Sequence, residues 1–344
     1  MDKAQWQMEL AEFIQGLIDN ASELESLMLN YPRKEGYPPN VKQMRQDIRD
    51  ILEAYESSES ALLLRRLAEL LRLLPSFDKR ANGLDGKRWM LNSISIWNDI
   101  TKSKEEKRLN HPAMFPSSLA KRLINCFANE QAQVILDPFL GVGSTIIAAK
   151  ELGKDAIGIE ISPEYADLAL SRVNLGISQL PLFEEHEPDI KVNVADSRDL
   201  CQYVEANSVD MVITSPPYWD ILLEKRSVDN KETRDYGDTK KDLGKIRDYE
   251  VFLQELRKVF EQVYVVTKPK SYCCVIVMDL RKKNHFYPFH MDVSHFMEDI
   301  GYDLDDIIIW NRGQEYNNLR PLGYPSVFRV NRIHEYILIF QKPE

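Results

Sequence analysis

Two stretches carry residues whose types and spacing could do chemistry. The first runs from Asp137 to Glu160 and holds Gly141-Val142-Gly143, a tight turn where glycine permits positive φ and a close approach of ligand to backbone. Asp137 sits on this turn, and Glu160 ends the apolar run that follows it. A ligand with a cationic amino acid end and a ribose diol would use both acids. The dinucleotide fingerprint wants a third glycine where Ile146 stands, which argues against NAD, and no phosphate-cradling lysine follows the turn. The second stretch is Thr214-Ser215-Pro216-Pro217-Tyr218, directly after another apolar run. Two prolines there could simply stop a strand, but the aromatic residue that follows at once makes a chain stop the weaker reading.

The elements that must position these residues are legible around them. Val134-Ile135-Leu136 reads as a strand buried on both faces, residues 144–152 as a helix closed by Gly153, and residues 155–160 as a second strand ending on a carboxylate. Strand, glycine turn, helix and acid-tipped strand make a nucleotide-binding βαβ unit. Ser162-Pro163 starts a helix with a serine N-cap and a proline in the first turn. Further strands are expected at 190–194, 209–213, 271–278, 306–310 and 335–340, with helices over 117–127, 249–266 and 291–300. This order predicts an α/β fold with a parallel, doubly wound sheet that a last strand turns into a mixed one. In such sheets ligands bind at the carboxyl ends of the strands, so both stretches should share one edge. Residues 1–75 instead read as helices: Leu10, Phe13, Ile14, Leu17, Ala21 and Leu24 form one apolar stripe, Val41, Met44, Ile48 and Leu52 a second, and residues 62–74 a leucine-rich third. Residues 77–110 read as a polar connection. The expected division is a helical module over 1–90 and a catalytic domain over 91–344.

The arrangement Asp-Pro-Phe-x-Gly-x-Gly-Ser over 137–144 resembles the S-adenosylmethionine loop of the amino-methyltransferases that modify DNA bases. Ser215-Pro216-Pro217-Tyr218 resembles their catalytic motif, and His111-Pro112-Ala113-Met114-Phe115-Pro116 the cofactor motif that precedes the glycine loop. The resemblance spans about residues 92–344 and leaves out the N-terminal helices. It implies the Rossmann-like class I methyltransferase fold with a mixed seven-stranded sheet. It also implies S-adenosyl-L-methionine as cofactor, held by His111, Phe115, Asp137, Phe139, Gly141, Gly143, Ser144 and Glu160, with Asp196 accepting from the adenine amine. A turn-forming role is the rival reading of Asp196.

The implied chemistry acts on an exocyclic amine, whose lone pair is delocalised into the base. Ser215 Oγ and the Pro216 carbonyl can accept both N–H bonds, which favours a pyramidal nitrogen facing the sulfonium methyl. Tyr218 offers a face on which the base stacks. The base must leave the duplex to reach this pocket. Serine at the first motif position is typical of cytosine-N4 enzymes in the resembling family; adenine-N6 chemistry, an RNA substrate and an inactive nucleic-acid-binding subunit stay open as alternatives.

The 344 residues carry a net charge of −10, unexpected for a partner of double-stranded DNA, whose phosphates call for Lys and Arg. Arg281, Lys282 and Lys283, with Arg312, Arg320, Arg329 and Arg332 in the loop over 311–332, would make the strand-end rim positive despite that total. Residues 220–248 hold eight basic and eight acidic residues, a length and polarity typical of a functional lid. Residues 1–89 hold thirteen basic and fifteen acidic residues, so they are expected to dock or dimerise, or to serve a partner subunit, rather than read bases alone. No signal peptide and no apolar run of membrane-span length is visible. The four cysteines lack CxxC spacing and read as reduced thiols of a cytoplasmic protein; none follows a proline, so the Pro-Cys nucleophile of cytosine-C5 enzymes is absent. The six histidines show no metal-ligand spacing.

Overall fold

The computed structural model describes residues 82–109, 114–129, 132–175, 188–220, 242–315, 319, 321, 322, 326, 327 and 329–344. The chain divides into two units, Met1–Arg80 and Ala81–Glu344, and every described residue lies in the second. The N-terminal helices, most of the 220–248 loop, His111 and Arg320 fall outside the described residues.

The elements run, in chain order, α1 (Gly86–Asn92), β1 (Ile96–Trp97), α2 (Lys104–Arg108), α3 (Ser117–Phe127), β2 (Val134–Asp137), α4 (Ser144–Glu151), β3 (Asp155–Glu160), α5 (Pro163–Leu175), β4 (Ile190–Val194), β5 (Val209–Thr214), α6 (Tyr249–Val266), β6 (Thr267–Val277), β7 (Leu280–Lys282), β8 (His285–Tyr287), α7 (Phe289–Ile300), β9 (Asp303–Asn311) and β10 (His334–Gln341). One sheet has the order β1-β9-β10-β6-β5-β2-β3-β4, and β7 and β8 form a separate hairpin. Strands β4, β3, β2, β5 and β6 pair in parallel; β10 enters antiparallel between β6 and β9.

Neighbouring residues of one strand feed two different cores, as a sheet covered on both faces requires. Ile135, Met211 and Ile213 pack with Leu119, Leu123 and Ile146 of the helices α3 and α4. Leu136, Val212 and Val275 pack with Phe252, Phe260 and Phe289 of α6 and α7. Helix α6 forms because Asp248 caps it, accepting from Val251 N, and because Phe252, Leu256, Val259, Phe260 and Val263 recur on one buried stripe. Burying each of its phenylalanines stabilises the fold by about 1.5–3 kcal/mol.

The α/β sheet is mixed, as expected, with two local corrections. It has an eighth strand, because Ile96 and Trp97 pair in parallel with Ile309 and Trp310. The connection over 77–110 contains two helices; their few apolar residues gave no stripe, and capping by Asp85 and by the Ser103–Glu106 box starts them instead. No helix among the described residues is long and apolar enough to cross a membrane.

Candidate active site

Strand β2 ends on Asp137, and the chain turns through Phe139 to Gly143. Leu140 N donates to Ile159 O at 3.0 Å, which lays the turn across the end of β3. Gly141 has φ 54° and Gly143 φ 85°. A Cβ at Gly143 would stand 2.8 Å from Ala169 Cβ, so the bare backbone is what lets α5 approach. Gly141 N donates to Glu160 Oε2 at 2.7 Å, and Ser162 N to Glu160 Oε1 at 2.9 Å. The turn's amide therefore faces a carboxylate of the protein rather than a phosphate. Glu160 is 8% exposed. Loss of solvent pushes its carboxyl up to about 7, against its two backbone donors and with help from the Asp137 charge.

Asp137 does not do what its place on the turn predicts. It is fully buried beneath the turn and is absent from the residues that line the cleft. Its Oδ1 accepts from Thr214 Oγ1 at 2.7 Å and Phe139 N at 3.0 Å, and its Oδ2 accepts from Thr145 Oγ1 at 2.7 Å. Burial raises its carboxyl to about 6, those three donors opposing. Asp137 thus ties the ends of β2 and β5 to the first turn of α4, and holds the turn in place instead of touching a ligand.

The cleft itself is lined by Met114, Phe115, Phe139 to Ser144 except Gly143, Glu160, Ile161, Asp196, Ser197, Ser215, Pro216, Pro217, Asp242 and Leu243, among others. Three carboxylates and no lysine or arginine stand among the described lining residues. That set repels a phosphorylated nucleotide and suits a ligand that carries hydroxyls and positive charge. The apolar walls, Phe115, Leu140 and Ile161, suit a purine and a thioether chain. The donor set therefore fits S-adenosylmethionine. Ser144 is 3% exposed, and its hydroxyl donates to Phe115 O at 2.7 Å, fastening the segment before α3 to the start of α4. Asp196 lines the cleft while its carboxylate pairs with Arg198 at 2.6 Å and caps the turn Ser197–Gln202; both readings of this acid, ligand contact and turn former, meet in one side chain.

The second motif arrives where the first one does. Strand β5 pairs in parallel with β2, so Ser215, Pro216 and Pro217 leave its end into the same cleft. Tyr218 packs edge-on against Phe289 with ring centres 6.3 Å apart. Its hydroxyl lies 3.1 Å from Ser215 Oγ and donates to Glu335 Oε2 at 3.0 Å. Glu335, Thr145 and Thr214 are site residues that sequence reasoning missed; the one available signal was that Glu335 is the sole acid of an otherwise apolar strand.

The basic residues divide. The Arg312 guanidinium bonds Glu335, holds Glu315 at 2.6 Å and lies over the Trp310 ring. Lys282 pairs with Asp220 at 2.5 Å and lies 4.1 Å from the Trp219 ring centre. Both are internal braces, which corrects their reading as nucleic-acid contacts: nearby acids had claimed their charge. Arg281 and Arg329 converge on Asn284, through its carbonyl and side-chain oxygens, at the tip of the β7–β8 hairpin. Arg332 lies over Phe286 of the same hairpin, and Lys283 is exposed at its turn.

The family model described as DNA methylase, N6_N4_Mtase, matches residues 25–171 and 209–344. The match starts far ahead of residue 92, where the resemblance was expected to begin, and Asp196 falls between its two segments. The type II methyltransferase M.MthZI of Methanothermobacter thermautotrophicus is 33% identical over 163 residues, 44% of this chain and 43% of the relative. M2.LlaDCHI of Lactococcus lactis subsp. cremoris is 32% identical over 121 residues, 35% of this chain and 43% of the relative. The chain thus spans less than half the length of these curated relatives. Among solved structures, a DNA modification methylase of Thermus thermophilus complexed with S-adenosyl-L-methionine, TTHA0409, is 28% identical, covering 44% of this chain and 54% of that one, with a TM-score of 0.31. Matched over well more than half its length, with the glycine turn and the Ser-Pro-Pro-Tyr segment both inside the match, the chain belongs to the N6/N4 DNA methylase family of S-adenosylmethionine-dependent amino-methyltransferases.

Proposed function

We propose that the protein methylates the exocyclic amine of a base flipped from double-stranded DNA, with N4 of cytosine favoured over N6 of adenine. The observation that carries this reading is that Glu160 and Ser215 line one cleft whose described residues include no cation. In this reading S-adenosyl-L-methionine supplies an electrophilic methyl group on a sulfonium. Glu160 takes the ribose hydroxyls, Asp196 the adenine amine, and Phe115 the methionine end; Phe139, Gly141 and Ser144 shape the cleft around them.

The chain's own work on the base is to localise a lone pair. Ser215 Oγ and the Pro216 carbonyl accept the two N–H bonds, Pro217 stiffens the segment, and Tyr218 backs the base. Arg281, Lys283, Arg329 and Arg332 give the polyanion a local landing site on a chain of net charge −10. The hydroxyl at Ser215, where a carboxylate or amide would otherwise stand, is what favours cytosine. The cysteines among the described residues are free thiols, which supports action in the reducing cytoplasm.

The test is incubation with labelled S-adenosylmethionine and separate DNA and RNA pools, followed by mass spectrometry of the nucleosides. N4-methylcytosine in DNA is expected. N6-methyladenine as sole product would move the base assignment, and label in RNA alone would overturn the DNA reading.

A further inference from the structure

The Ser215 hydroxyl does not stand alone at the cleft. Tyr218 OH lies 3.1 Å from it and bonds Glu335 Oε2 at 3.0 Å, while Glu335 Oε1 accepts from Arg312. Glu335 is 4% exposed, so its charge is buried with Arg312 as counterion. Arg312 is itself held: its Nε and Nη2 donate to Glu315 at 3.2 and 2.6 Å. The fold brings these groups together through the antiparallel strand of the main sheet. Because β10 runs against β6, its first residues lie where the parallel strands end: Glu335 pairs with Trp310, and Tyr336 with Val277.

We propose that Glu335, held by Arg312, is a positioning residue that sets the direction of the Ser215 hydroxyl through Tyr218. The inference rests on the reading of Ser215 as the amine acceptor, and its reasoning is a count of protons. A carboxylate paired with an arginine has no hydrogen to give, so the phenol must donate to Glu335. A phenol has one hydrogen. Its oxygen can then only accept, so the contact with Ser215 is a bond that serine donates. The serine proton is thereby turned away from the base, and both lone pairs of Oγ are left for the amine N–H. Without Glu335 the phenol is free to donate to Ser215, and the serine proton can turn toward the amine nitrogen. There it would bind the lone pair that must attack the methyl group. Burial, and next the Glu335 charge, push the Tyr218 phenol well above its ordinary range, so it keeps the proton this relay needs.

The experiment is a double-mutant cycle on the full chain, reading kcat and cofactor KM for methyl transfer to DNA with Glu335→Gln, Tyr218→Phe and the pair, each variant checked for folding by its Tm. Glu335→Gln keeps the volume and can present its amide N–H to the phenol, which reverses the relay. It is expected to lower kcat roughly 10- to 100-fold with cofactor KM unchanged, and to have no further effect in the Tyr218→Phe background. An equal loss in both backgrounds, or a change confined to KM, would overturn the inference while leaving the functional reading intact. A wild-type protein that methylates no DNA base would overturn the reading and the inference together. Should Glu335→Gln fail to fold, Arg312→Lys, which loosens the fork on Glu335, is expected to show a smaller kcat loss that also vanishes with Tyr218→Phe; persistence of that loss would overturn the relay.

Discussion

Glu160→Gln should decouple the stability of this protein from pH. Glu160 has an ordinary value near 4.5 and is raised to about 7 in the fold. One pH unit of displacement corresponds to about 1.4 kcal/mol, so the ionised side chain costs the folded state about 3 kcal/mol. Between these two values the folded protein holds a proton that the unfolded chain has released. Unfolding then gives up protons, and stability falls as pH rises, by up to about 1.4 kcal/mol per pH unit. Asp137 acts in the same direction over the lower window from 3.8 to about 6. Glutamine has no proton to lose, but it accepts from only one of Gly141 N and Ser162 N well. The other donor is left unpaired at a cost of about 1–3 kcal/mol, the same at every pH.

Urea denaturation at pH 5.5 and pH 8.5 separates the two effects. The constant penalty drops out of the comparison, and the variant should gain about 2 kcal/mol on the wild type between these conditions, most of it below pH 7. Cofactor affinity should move the other way. The wild type binds a cationic ligand more tightly as pH rises through about 7 and Glu160 ionises, whereas the variant binds weakly, by about 1–3 kcal/mol, without that pH dependence. Stability curves for the two proteins that run parallel within experimental error would refute the argument, because they would mean that Glu160 is already ionised in the fold at pH 5.5.

Ser215→Ala is expected to cut methyl transfer by roughly 100-fold or more while calorimetry finds cofactor affinity little changed; a variant with wild-type turnover would remove the acceptor role. Arg329→Ala should weaken DNA binding and reduce the salt slope of log K by about 1, whereas Arg312→Ala should lower the Tm; the reverse pattern would undo the division of basic residues into contacts and braces. A chain beginning at Ala81 should keep cofactor affinity and change its oligomeric mass. Unchanged mass with lost DNA binding would instead make residues 1–80 the part that reads DNA.

What could be read from the sequence was what is contiguous along it. The turn at Gly141 and Gly143, the acid at Glu160 and the Ser215–Tyr218 segment each sit at the end of an apolar run, and parallel pairing of β2 with β3 and β5 brings run ends to one edge. Local spacing therefore carried the site's main parts and the sheet that holds them. It failed where a partner comes from far away. Asp137 reads as a ligand contact until Thr214, seventy-seven positions later, is seen to bond its inner oxygen. Lys282 reads as a free cation until Asp220, sixty-two positions earlier, is seen beside it. Glu335 reads as the start of an ordinary strand, because nothing near it in sequence says that β10 will run backwards and lay it against a tyrosine 117 positions away. Charge counting shares this blindness: it assigned Arg312 to the DNA rim, although a buried carboxylate across the sheet had the stronger claim on it. The residues that touch a ligand were thus legible from chemistry at short range, while those that orient the ligand-touching groups were set by topology, and the reversed strand of the main sheet is what adds an ionic control to the Ser-Pro-Pro-Tyr segment.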